Sequence, residues 1–66
     1  MHDKILDDLT GQLVVIDIDC AVWFRMMERS ERMHFASKVV SRMHEGQTYD
    51  EAIADVAEYA IWKETY

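Results

Sequence analysis

The chain has no proline and only two glycines, Gly11 and Gly46. So little punctuation argues against a domain of short strands and tight turns and favours helices. A single cysteine, Cys20, excludes an internal disulfide. The soft metal ligands are Cys20 and the histidines His2, His34 and His44. No two histidines are spaced i, i+4, and no Cys-x-x-Cys occurs. A structural zinc site needs four ligands in close spacing, so no metal is expected. No apolar run reaches the roughly 20 residues of a membrane span. Asp3, Asp7 and Asp8 stand where a secretory leader carries basic residues. A cytoplasmic protein is therefore expected. There is also no glycine-rich phosphate loop and no Ser-His-Asp arrangement. Cys20 lies in an apolar, acidic stretch that raises a thiol pKa, and it reads as a buried, inert residue. Neither catalysis nor a cofactor is expected.

Basic residues are scarce: seven Lys and Arg face thirteen Asp and Glu, for a net charge of -6. A chain of this sign does not bind nucleic acid by counterion release as a whole. It is better suited to a basic surface on another protein.

What the chain does hold is apolar residues, at half of its 66 positions. That is a globular composition. The length fits one small helical domain, 1–66, with a marginal core. Lacking a disulfide and a metal, such a domain gains stability from a partner or from a second copy of itself.

The spacing predicts an all-α bundle of three to four helices. Ile5, Leu6 and Leu9 share one face of a short helix over residues 1–10, with Gly11 as its stop. Leu13–Met27 is the most apolar stretch. Read as a helix, Leu13, Ile16, Cys20, Trp23 and Met27 form one stripe. Val15, Ile18, Val22 and Met26 form another on the opposite side, which marks a central helix packed on both faces. Read as a strand, Val14–Asp19 alternates, but its ladder partner would have to come from a second copy. The helix is the preferred reading. Ser30 is the expected N-cap of a helix from Glu31 to Glu45, ended by Gly46. Thr48 and Glu51 form a capping box, T-x-x-E, ahead of a helix from Tyr49 to about Lys63. The last two helices then make an antiparallel hairpin. The expected core is Ile16, Trp23, Phe24, Val39, Val40, Met43, Ile53, Val56 and Ile61.

Val14–Asp19, Val-Val-Ile-Asp-Ile-Asp, resembles the opening of haloacid dehalogenase-type phosphatases. The resemblance implies Asp17 as nucleophile, Asp19 as general acid, Mg²⁺ nearby and a doubly wound sheet. It covers six residues, and Cys20-Ala21 replace the Gly-Thr that follows in that family. That sheet also needs a chain several times longer. Read by themselves, Asp17 and Asp19 are solvated acids, or one of them caps a helix.

Charge is distributed in blocks. Residues 1–24 carry net -4, residues 25–44 net +3 and residues 45–66 net -5. A basic middle beside acidic neighbours predicts internal pairing. On the last helix Asp55, Glu58, Tyr59, Trp62 and Tyr66 lie away from the apolar stripe. Tyr and Trp outside a core are interface anchors. These five are the candidate partner-binding residues. The expected function is a small acidic interaction module that binds, and inhibits or adapts, a larger protein with a basic, nucleic-acid-binding surface. Compact acidic chains of this kind recur among phage and mobile-element accessory proteins. The alternative is a homodimeric DNA-binding protein of the ribbon-helix-helix kind, with Val14–Asp19 as its ribbon.

Overall fold

The computed structural model describes residues 2–65, which form four helices and, among the described residues, no strand. Helix α1 is His2–Ile16, α2 Ile18–Met26, α3 Arg29–His44 and α4 Tyr49–Thr65. The expected all-α bundle ending in a helical hairpin is what the chain forms.

Helix α1 does not stop at Gly11, contrary to the sequence reading. Leu13, one turn beyond Leu9, has no exposed surface and extends the buried row of Ile5, Leu6 and Leu9. Glycine costs a helix about 1 kcal/mol. Burying one leucine returns about 1.5–3 kcal/mol, so the helix runs on.

The central stretch is neither a strand nor one unbroken helix. It breaks at Asp17, whose backbone is extended (φ -162°, ψ 93°). The Asp17 carboxylate accepts the Cys20 N–H at 3.2 Å, so it is the N-cap of α2. Asp17 still donates to the Leu13 carbonyl at 2.7 Å and accepts from Ala21 at 3.0 Å. Its backbone groups are thus satisfied within the chain, and a cross-dimer ladder has nothing to supply. The strand that a ribbon-helix-helix arrangement needs, Val14–Asp19, is absent. So is the doubly wound sheet implied by the phosphatase resemblance.

The next break falls where expected, but α3 starts earlier, at Arg29. Glu28 is its N-cap, without a side-chain bond, and Ser30 lies exposed inside the first turn. At the other end Gly46 takes φ +108°. Gln47 N–H donates to the Arg42 carbonyl and Gly46 N–H to that of Met43, both at 3.1 Å. This is the paired closure of a Schellman motif. The capping box forms in full: Thr48 N–H donates to Glu51 Oε1 at 2.9 Å and Glu51 N–H to Thr48 Oγ1 at 3.2 Å.

The largest fully buried side chains are Phe24, Leu9, Leu13, Val39, Val56 and Cys20. Ala21, Ala36, Ala52, Ala57 and Ala60 are buried among them and let the helix backbones approach closely. Phe24, Val39, Ile53 and Val56 are buried as expected, and Trp23, Val40 and Ile61 pack against the core half-buried. Ile16 and Met43 are exposed instead. Both sit in the last turn of a helix, where the chain leaves its neighbours. The larger correction concerns Val15, Ile18, Val22 and Met26. No helix covers them, and all four are exposed. The radius of gyration, 10.7 Å, matches the value of about 11 Å for a compact chain of this length, so loose packing does not account for the exposed row.

Candidate functional site

The capping box fixes where α4 begins, and its buried row of Ala52, Ile53, Val56, Ala57 and Ala60 fixes its rotation. Tyr59 and Trp62 then fall together at the edge of the core. Their rings stack at 6.1 Å between centroids, 26° apart. Tyr59 is half-buried, lies 5.9 Å from Phe35 and carries the Lys38 ammonium 4.7 Å from its centroid. Trp62 remains 56% exposed. Asp55 shares the face, but its carboxylate accepts from Gln47 Nε2 at 2.6 Å, which ties it back to the α3–α4 turn. Glu58 is exposed. Tyr66 lies outside the described residues.

Beside this pair is a groove of about 360 Å³. Helix α2 packs on α1 and α4, and α3 packs on the same two, so aromatic side chains fill the space between α2 and α3. Trp23, Met27, Phe35 and Tyr59 line the apolar part, with Glu31, His34, Lys38 and Lys63 around it. Phe35 holds the floor together: Trp23 meets it edge-on at 6.5 Å and Phe24 at 5.4 Å. Sequence reasoning assigned Trp23 to the core and left Phe35 at the edge of a stripe. That edge position was the available signal, because a large aromatic at a stripe boundary lines whatever opening the neighbouring helix leaves. The two lysines carry an unexpected local sign for a chain this acidic.

A polar cluster lies on the other side of α4. The Tyr49 hydroxyl donates to the Asp8 carboxylate, which also accepts from Lys4 Nζ at 2.8 Å. The Lys4 bond, then the Tyr49 bond, hold the Asp8 carboxyl below its ordinary range. Burial, then the Asp8 bond, push the Tyr49 hydroxyl up. The cluster pins α1 to α4. Arg29 reaches Asp3 at 2.5 Å, so the basic middle does pair with an acidic neighbour.

The remaining reactive groups are quiet. Burial, with smaller effects from Glu64 and Asp17, pushes the Cys20 thiol up to about 11, so it stays protonated at neutral pH. Asp17 is engaged as a cap, while Asp19 is exposed in the next turn. Among the described residues no three His, Cys, Asp or Glu side chains converge to hold a metal, and no helix is long and apolar enough to cross a membrane. The chain matches no protein-family model, no curated protein and no solved structure.

Proposed function

We propose that this chain is a small acidic interaction module, not an enzyme, that binds a larger protein and inhibits or adapts it. The observation that carries the reading is the stacked Tyr59–Trp62 pair beside a groove floored by Trp23 and Phe35. Aromatic anchors of this kind offer large contact area with few rotatable bonds. The partner inserts an apolar side chain into the groove. The net charge of -6 speeds its encounter with a basic surface, such as one that binds nucleic acid. Glu58 contributes to that steering. Lys38 and Lys63 add a local requirement for an acceptor beside the inserted side chain.

The test compares two baits in the source-cell lysate, wild type and Trp62→Ala, followed by affinity measurement on the protein captured. Trp62→Ala should weaken binding about 30-fold, the roughly 2 kcal/mol of a hot spot, without changing the far-ultraviolet circular dichroism. Glu58→Lys should slow association more than it speeds dissociation. Unchanged affinity of Trp62→Ala for the captured protein would remove α4 as the binding face.

A further inference from the structure

We infer that the face of α2 carrying Ile18, Val22 and Met26 is the contact surface of an antiparallel two-fold dimer of this chain. The three residues stand at i, i+4 and i+8, one line along the helix. They are 56%, 52% and 81% exposed. Hydrogen bonds of the α type enter and leave Asp17, so the line continues into α1, where Val15 is 80% exposed. No polar residue interrupts it.

Two observations select a second copy as the occupant. The first is charge. Helix α2 opens with Asp19 in its first turn and closes with Arg25 in its last. A two-fold axis at Val22 sets the copies antiparallel, with Ile18 against Met26 of the second copy and Val22 against itself. The acidic first turn of one helix then lies beside the basic last turn of the other, and the helix dipoles oppose. A parallel pairing would put like charges together. Neither Asp19 nor Arg25 is in an ion pair among the described residues, so both are available. The second observation is area. With Val14 and Ile16 beside it, the apolar surface offered is on the order of 500 Å² per copy, about 1,000 Å² per dimer, the lower bound of a specific interface. The contact is isologous, so each copy covers the other's patch and no open edge remains. It lies on a different face of α2 from Trp23 and Met27, which leaves the aromatic groove open.

Sedimentation equilibrium from roughly 1 μM to 1 mM, the range of weak specific contacts, provides the test. The wild-type mass should rise from the 7.8 kDa of one chain to twice that value. Val22→Glu places two like charges at the axis and should stay monomeric, with an unchanged helical spectrum. Asp19→Arg and Arg25→Asp should each weaken the dimer, and the double variant should restore it, because only the antiparallel pairing brings the two positions together. Should Val22→Glu unfold, Val22→Cys decides. It should form a disulfide-linked dimer under mild oxidation, whereas Ser37→Cys on exposed α3 surface should not. A wild type that stays monomeric up to 1 mM, a Val22→Glu that dimerises normally, or a double reversal that fails to rescue would overturn the proposal.

Discussion

Phe24→Ala tests the packing most directly. Phe24 has no exposed surface, and its ring stands edge-on to Phe35 at 5.4 Å. Truncating a buried phenylalanine costs about 3–5 kcal/mol, the lost transfer energy plus the cavity left behind. A chain of this size has about 3–10 kcal/mol of stability in all, at 0.05–0.15 kcal/mol per residue. The variant should therefore be largely unfolded or close to it. Val22→Ala, two positions earlier on the same helix, removes methyl groups that are half exposed. In dilute solution it should change stability by no more than about 0.5 kcal/mol. Urea melts followed by far-ultraviolet circular dichroism separate the two. If Phe24→Ala keeps the wild-type midpoint, or Val22→Ala melts with it, α2 is rotated differently from the arrangement described above.

Three further outcomes follow from the caps and the α1–α4 cluster. Thr48→Ala removes the acceptor of the Glu51 N–H and should cost about 1 kcal/mol in thermal or urea melts, whereas Thr48→Asp should cost much less. Asp17→Ala should cost a similar amount by uncapping α2, and Asp17→Asn, which keeps an acceptor oxygen, should cost only a few tenths of a kcal/mol. Asp8 is held below its ordinary value of 3.8, so the folded state binds its proton less readily than the unfolded state. Its share of stability is complete above that value and disappears as the pH falls through the lowered one. Asp8→Asn should flatten the acid limb of a stability–pH curve. An unchanged limb would show that the Lys4 and Tyr49 bonds do not persist in solution.

The helix ends were readable where a side chain or a glycine fixes the backbone by itself. Thr48 and Glu51 satisfy two amides reciprocally, and Gly46 takes a left-handed φ that other residues avoid. Such signals need no tertiary partner. Ser30 and Gly11 carry the same chemistry and misled, because packing overruled both. Leu13 had more to gain by extending α1 than Gly11 had to lose. On α3 the helix started before Ser30 was reached. Asp17 was open to both readings, solvated acid or cap, and only the extended backbone at that residue decides for the cap. In the aromatic site, the grouping of Tyr59 with Trp62 on one face was readable from spacing. Their neighbours Phe35 and Lys38 were not, because they come from another helix, whose distance and rotation no local pattern fixes.

The same limit explains the misplaced apolar row. Both stripes of Leu13–Met27 repeat at helical spacing, and periodicity alone cannot say which one meets another helix of the same chain. Composition adds a weak cue. The row turned inward, Leu13, Cys20, Ala21 and Phe24, mixes large and small side chains that interlock with the alanines of α3 and α4. The row turned outward, Val15, Ile18, Val22 and Met26, is of medium size throughout and contains no small residue. A helix packed on both faces would need a fifth element to cover the second row, and the 66 residues are spent on four. Counting elements against apolar faces, rather than reading each stripe separately, would have left that row without an internal partner. The exposed face thus follows from the length of the chain as much as from its pattern, and covering it requires a second chain.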